Sequence, residues 1–84
     1  MTSKDAVRVF DARDFGRALR AGRRRQKLTQ MHAAQLAGVS SRLWSELESG
    51  KRPQVGLETA LRMAQTLGID LVVAERGNRT NSGL

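Results

Sequence analysis

Apolar residues recur at helical spacing in four segments of the chain, and residues that commonly begin or end helices separate these segments. The first segment predicts a helix over residues 12–26, with Asp11 as its N-cap and Phe10 and Phe15 at the two positions of a hydrophobic staple. One stripe of this helix is apolar or small and is expected to face the core: Phe15, Ala18, Leu19 and Gly22.

Three shorter helices are predicted after the first one, over residues 30–37, 41–49 and 57–67. Thr29 and Ser40 are the N-caps of the first two of these helices, and a glycine follows each of the three. The last helix is expected to turn one apolar face to the core: Leu57, Leu61, Ala64 and Leu67.

The two ends of the chain differ from the helical part. Residues 1–10 carry no helix signal and are predicted to be a flexible arm, and the polar residues 76–84 are predicted to be a disordered tail. The domain between them spans residues 11–75. Its last segment, "IDLVVAE" at 69–75, is rich in β-branched residues and too short for another helix, so a strand is predicted there.

Composition narrows the possible functions. The 84 residues suffice for one small domain. Only three of them are aromatic, so the hydrophobic core must be small. Chains of this size often complete their core by association with another copy or a partner. Fifteen Lys and Arg against eight Asp and Glu give a net charge of +7 and an isoelectric point near 11.5. Twelve of the fifteen are Arg, which favours phosphate and guanine as partners. A basic protein that is merely soluble is the alternative.

Several classes of function are not expected from this sequence. The chain has no cysteine and a single histidine, His32, so neither thiol chemistry nor a Cys/His metal site is predicted. No nucleophile–base pair or acid pair is recognisable, and we expect a protein that is not an enzyme and needs no cofactor. There is neither a long apolar run nor a signal-peptide pattern, so the expected location is the cytoplasm, on the nucleoid and not at a membrane.

The second and third predicted helices have the pattern of a helix-turn-helix. Ala34 is small where the helices would cross, and Gly38 can take the positive φ of the turn. Three residues are expected to face inward: Val39, Trp44 and Leu47. Four polar residues of the third helix then face outward: Ser41, Arg42, Ser45 and Glu46. Two alternatives stay open, since Trp44 could stack on nucleic acid and Glu46 could pair with Arg42.

These motifs resemble the Cro/C1-type, or XRE, helix-turn-helix domain over about residues 14–69. The matching elements are "LTQ" at 28–30, Ala34, "AGVS" at 37–40, Ser45, and Glu48, Gly50 and Lys51 spaced as E-x-G-K. The stretch from Gly50 to Glu75 is similar to that of HipB-type antitoxin regulators. The chain departs from the family pattern at Ala33, where a larger aliphatic residue is usual, and at Trp44, where Ile or Val is usual.

The resemblance implies an all-α fold of four to five helices and an ion pair between Arg23 and Glu48. A lone C-terminal strand in such a fold would lack a partner, so we expect it to pair with its copy in an intersubunit ribbon that makes a homodimer. Four residues are predicted to form this contact: Ile69, Leu71, Val72 and Val73. A dimer built on the fourth helix, a frayed segment, and a segment packed across its own helices are the alternatives.

The predicted function is sequence-specific binding of double-stranded DNA by a homodimeric transcriptional repressor, with the third helix in the major groove of a palindromic operator. The predicted base-reading residues are the four outward-facing ones: Ser41, Arg42, Ser45 and Glu46. Six others are predicted to hold the DNA backbone: Arg25, Thr29, Gln30, Ser40, Lys51 and Arg52.

The similarity to HipB-type regulators further implies a partner, a HipA-like kinase toxin, which the protein would neutralise as an antitoxin while repressing their common operon. Three alternatives remain: a phage-type repressor without a toxin, a protein-binding adaptor with the same domain, and a small RNA-binding protein. The last is less favoured because interleaved aromatic stacking residues are lacking.

Overall fold

The computed structural model describes residues 6–76, so residues 1–5 of the predicted arm and 77–84 of the predicted tail lie outside the described part. It contains four α-helices in the order α1 Ala12–Arg25, α2 Gln30–Ala37, α3 Ser41–Glu48 and α4 Leu57–Thr66. The all-α prediction is confirmed, and α1, α3 and α4 each end one residue earlier than predicted. Within residues 6–76, no helix is long and apolar enough to cross a bilayer.

The first three helices begin where a side chain caps the backbone. In each case the oxygen of the N-cap side chain accepts a hydrogen bond from the amide three residues later, which satisfies a donor that has no partner inside the helix. The three pairs are Asp11 with Asp14, Thr29 with His32, and Ser40 with Leu43, each at 3.0 Å. These caps therefore set the starts of α1, α2 and α3.

The predicted staple at the start of α1 is a minor feature. Phe15 is buried, whereas the Phe10 side chain is 69% exposed and removes little apolar surface from water. The entry into α1 is held by hydrogen bonding instead, because the Phe10 amide donates to Asp14 Oδ2 at 2.8 Å.

All four helices end in the same way. An amide two or three residues beyond the end of each helix donates to the carbonyl five residues earlier in the chain: Leu28 to Arg23, Val39 to Ala34, Lys51 to Glu46, and Ile69 to Ala64. The residue before that amide is left-handed, and it is a glycine except after α1, where Lys27 has a φ of 59°. A side chain in this region costs on the order of 1 kcal/mol, so the conformational preference of Lys27 does not favour the end of α1.

One cluster of buried side chains from all four helices forms the core. Its members are Phe15, Leu19, Ala33, Ala34, Ala37, Trp44, Leu47, Ala60, Met63, Ala64 and Leu67. Trp44 is fully buried, so it is a core residue and not a surface for stacking. Ala33 is fully buried in the same cluster, so the small and the large departure from the family pattern belong to one core.

The predicted core face of α4 was partly wrong. Ala64 and Leu67 are buried as predicted, but Leu57 is 71% exposed and Leu61 is only half-buried, while Ala60 and Met63 are buried in their place. Apolar residues occur on more than one side of α4, so two stripes satisfy helical spacing and the sequence pattern does not choose between them. The contact of α4 with α2 selects the second stripe.

The segment after α4 does not form a strand within the single chain. Ile69 packs against the core beside Gly22, whose missing side chain leaves room for it. Leu71, Val72 and Val73 are exposed, and Val73 is fully so. The predicted ribbon needs a second copy of the chain, and it stays a prediction.

Candidate nucleic-acid interface

The turn between α2 and α3 fixes where α3 points. Gly38 takes a left-handed conformation with a φ of 74°, and the Val39 amide donates to the Ala34 carbonyl at 3.0 Å. Val39 then leads into the cap at Ser40, and its side chain packs against the core. Because Ala34 is buried and small, α3 can cross α2 closely. The chain thus presents the opposite face of α3 to solvent.

The predicted base-reading residues all lie on this outer face of α3. Ser41 and Arg42 in the first turn are exposed, and Ser45 and Glu46 in the next turn are half-buried. The Arg42 side chain is 84% exposed, so its guanidinium is the most accessible charged group of the helix. A positive, planar group at this position suits the acceptors of guanine.

Glu46 has a different environment from that of its neighbours. Its Oε2 accepts from Arg42 Nε at 3.0 Å and its Oε1 accepts from Arg52 Nη2 at 3.0 Å. The hydrogen bond from Arg42 has the largest effect on the pKa of Glu46 and, with the charges of Arg42 and Arg52, holds that pKa below its usual value despite partial burial. The pairing of Glu46 with Arg42 is therefore the arrangement observed.

The six predicted backbone-contact residues fall into three groups. Arg25 and Lys51 are exposed cations, and Arg52 is half-exposed and bound to Glu46. Thr29 and Ser40 use a lone pair in capping but keep the hydroxyl proton for another acceptor. The sixth, Gln30, is turned inward: its amide nitrogen donates to Glu48 Oε1 at 3.0 Å.

Glu48 lies at the centre of a buried hydrogen-bond network that joins α1, α2 and α3. Arg23 donates to it twice, from Nε at 2.6 Å and from Nη2 at 2.9 Å, which is the ion pair that the resemblance implies. Trp44 Nε1 donates to Oε2 at 2.6 Å, and Gln30 donates to Oε1. Arg23 also reaches the Leu28 carbonyl at 2.8 Å. The carboxylate thus joins the three helices that carry the candidate interface residues.

Residues 14–76 match the family model described as "Helix-turn-helix domain". The chain belongs to the helix-turn-helix family of transcriptional regulators. It is 35% identical over 74 residues to the uncharacterized HTH-type transcriptional regulator y4mF of Sinorhizobium fredii, a match that covers 88% of this chain and 96% of the relative. The resemblance drawn from the sequence motifs is confirmed at the level of the family.

Solved structures of HipB have the same fold as this helix-turn-helix regulator. The HipB-O4 20mer complex superposes with a TM-score of 0.73 at 17% identity, covering 86% of this chain and 100% of the HipB chain. A HipB variant in complex with an O2 20mer gives a TM-score of 0.74 at 16% identity, with 87% and 100% covered.

The charge state of Glu48 in the helix-turn-helix domain results from opposing effects. Burial on its own raises the pKa of Glu48, but the hydrogen bonds from Arg23, Gln30 and Trp44 outweigh burial and leave that pKa below its usual value. The Arg23 guanidinium beside it adds a favourable charge interaction. The buried carboxylate is therefore ionised, and each of its oxygens accepts two hydrogen bonds.

Sequence reasoning missed some partners in this helix-turn-helix domain. The bond from Trp44 to Glu48 has a local signal, since the residues are four apart on one helix. The bond from Arg52 to Glu46 has a weaker signal, because Arg52 lies in the connection after α3. The bond from Arg62 Nε to the Ala37 carbonyl, at 2.8 Å, joins α4 to the end of α2 and depends entirely on tertiary packing.

Proposed function

We propose that the protein is a sequence-specific DNA-binding repressor that reads the major groove with α3 and works in the cytoplasm on the nucleoid. The observation that carries this proposal is the exposed Arg42 side chain in the first turn of α3, whose opposite side is buried in the core. Membership of the helix-turn-helix family supports it, as does the shared fold with HipB bound to 20mers.

The proposal divides the polar residues by task. Ser41, Arg42 and Ser45 contact base edges, and Arg42 donates to guanine O6 and N7. The cations Lys51, Arg52 and Arg25 hold phosphates, with the hydroxyl groups of Thr29 and Ser40 and the second amide proton of Gln30 as neutral donors. Base contacts then determine sequence, while phosphate contacts add affinity for any duplex.

Arg42→Ala is expected to weaken operator binding by about 1–3 kcal/mol and to relax the preference at one base pair of each half-site. Lys51→Ala is expected to weaken binding to all duplexes alike and to reduce the slope of log K against log salt by about one unit. Fluorescence anisotropy with a panel of single-base operator variants at several salt concentrations separates the two effects. An equal, sequence-independent loss in both variants would show that α3 is not the reading element.

We also propose that the active species is a homodimer joined through residues 69–75, with a palindromic operator. The apolar side chains of Leu71, Val72 and Val73 are exposed in the single chain, and their backbone has no ladder partner within the described residues. Pairing with a second copy covers these side chains and gives the backbone hydrogen-bond partners. It also spaces the two α3 helices about one DNA turn, ~34 Å, apart.

Val73→Glu is expected to raise the dimer dissociation constant at least about tenfold, because the pairing would desolvate an unpaired carboxylate. The side chain is fully exposed in the single chain, so the helical fold is expected to be unaffected. Gln35→Glu, at an exposed position of α2, adds the same charge and is the matched control. Sedimentation equilibrium gives the constants. If the Val73→Glu dimer is as stable as the Gln35→Glu dimer, the dimer contact lies elsewhere. The first alternative is α4 with its exposed Leu57.

The most specific part of the proposed function is a toxin partner. We propose that the protein is the antitoxin and autoregulator of a HipA-like kinase toxin, on the basis of the sequence resemblance and of the fold shared with HipB. The test is co-expression with a kinase-like reading frame adjacent to this gene, followed by co-purification and a growth assay. Absence of such a frame, or failure of the two products to associate, would leave a repressor without a toxin.

A further inference from the structure

Arg42, Glu46 and Arg52 form one connected group on the surface of α3, which we call the Arg42–Glu46–Arg52 triad. Each carboxylate oxygen of Glu46 is bound by a different guanidinium, by Arg42 Nε on one side and by Arg52 Nη2 on the other, both at 3.0 Å. The Arg42 side chain is 84% exposed, whereas that of Glu46 is 28% exposed. The arginine thus projects to solvent from a carboxylate held behind it.

We propose that Glu46 is a positioning residue that orients Arg42 for a guanine and does not itself read a base. This inference rests on the proposed function of α3 and deepens it, because it assigns a specificity-determining role to a side chain that touches no DNA. It replaces the sequence-based expectation that Glu46 reads a base.

The geometry of Arg42 supports this role. Because Nε is bound by Glu46, the donors that remain are those of the two terminal nitrogens, which can approach guanine O6 and N7 end-on. A long side chain loses rotamer freedom when it binds, and a partner that holds it beforehand reduces that loss. Glu46 therefore increases the preference for guanine without contacting it.

A direct contact from Glu46 to a base would break the triad. The carboxylate lies behind the exposed Arg42, so to reach a base edge its side chain would have to move outward, exchanging charge-assisted hydrogen bonds to Arg42 and Arg52 for one from a neutral amino group of cytosine. It would also leave the Arg42 and Arg52 guanidinium groups without their anion. The exchange is unfavourable, so the side chain stays where it is.

Arg52 holds the carboxylate from the other side. It precedes Pro53, which restricts its backbone to extended conformations and so limits where its side chain can reach. Its Nε is buried without a hydrogen-bond partner among the described residues, so its bond to Glu46 is the one that fixes its guanidinium. Two guanidinium groups against one carboxylate leave the triad with a net positive charge, which suits a surface that meets phosphate.

The test compares Glu46→Ala, Arg42→Ala and the double variant of the full chain on a panel of single-base operator variants. Glu46→Ala is expected to reduce the preference at the same base pair as Arg42→Ala, by about two- to tenfold, which is the range for one side chain that is no longer held in place. In the Arg42→Ala background it is expected to change the base preference no further. Glu46→Gln, which keeps an oxygen acceptor for Arg42 Nε, should retain part of the preference.

The matched control is Glu58→Ala, which removes one exposed carboxylate from the first turn of α4. It reports the gain in affinity for any duplex that follows from a more positive protein, and base preference should stay unchanged. A loss of preference at a different base pair, an additive loss in the double variant, or no loss at all in Glu46→Ala overturns the inference. The parent proposal fails separately, when Arg42→Ala itself changes no base preference.

Discussion

A Gly16→Ala variant is expected to lose at least about 3 kcal/mol of its free energy of unfolding, because the added methyl group has no space. At Gly16, α1 crosses α3 so closely that a Cβ atom would overlap the Leu47 carbonyl oxygen and lie 2.7 Å from the Leu47 carbonyl carbon. Both atoms belong to the backbone, so the helices would have to separate. Without this contact, alanine would stabilise the helix by roughly 0.5–1 kcal/mol. A loss of stability in place of that gain therefore demonstrates the close crossing of α1 and α3.

Urea unfolding followed by the fluorescence of Trp44, the single tryptophan, measures this loss. For a domain of this size, 3 kcal/mol corresponds to a fall in Tm of about 12 °C or more. Gly22→Ala is the control in the same helix: its methyl group would meet the ends of the Ile69 and Leu67 side chains, which can shift. Its stability should change by less than about 1 kcal/mol. Equal effects at Gly16 and Gly22 would contradict the close crossing of α1 and α3.

Glu48→Gln is expected to destabilise the domain by roughly 3 kcal/mol without changing its base preference. Four donor groups converge on the carboxylate, whose side chain is 2% exposed, and a glutamine would turn an N–H group towards some of them. It would also leave the Arg23 guanidinium buried without its anion, which is the costly part of breaking such a pair. Thermal unfolding followed by circular dichroism gives the stability, and the operator panel gives the base preference.

The control is Glu46→Gln, the same substitution at a carboxylate that is also bound by arginine but lies at the surface. Exposed pairs contribute little, so a loss of less than about 1 kcal/mol is expected there. If the two variants lose the same stability, the buried network does not hold α1, α2 and α3 together.

The stabilisation by Glu48 should also depend on pH. In the folded protein the hydrogen bonds from Arg23, Gln30 and Trp44 outweigh burial and hold the pKa of Glu48 below its usual value of 4.5. Its contribution is therefore present above pH 4.5 and is lost as the pH falls through the lower folded-state pKa. The difference in stability between the wild type and Glu48→Gln should narrow over that acidic range, as denaturation at a series of pH values would measure.

The sequence predicted the features of the fold that depend on neighbouring residues. The N-caps at Asp11, Thr29 and Ser40 are correct because each cap bonds an amide three residues away. The left-handed turn at Gly38 is correct because its requirement is also local. The outward positions of Ser41 and Arg42 then follow from helical geometry.

Features that depend on packing could not be predicted in the same way. Leu57 and Ala60 both lie on apolar stripes of α4, and tertiary packing, including the contact with α2, decides which stripe is buried. The sequence pattern does not single out Gly16, since its importance comes from a helix that is distant in sequence. The bond from Arg52 to Glu46 depends on the path of the chain after α3, so the sequence alone does not show that Glu46 is bound from two sides.

We propose above all that α3 of this protein reads a DNA sequence as part of a symmetric dimer. The most direct measurement is selection by the full-length chain from a pool of randomised DNA duplexes, followed by sequencing of the bound fraction, with Arg42→Ala selected in parallel. The predicted result is a palindromic motif whose half-sites lie about one helical turn apart, with one base pair per half-site losing its preference in Arg42→Ala. A bound fraction with no enriched motif, recovered equally by both proteins, would contradict the claim.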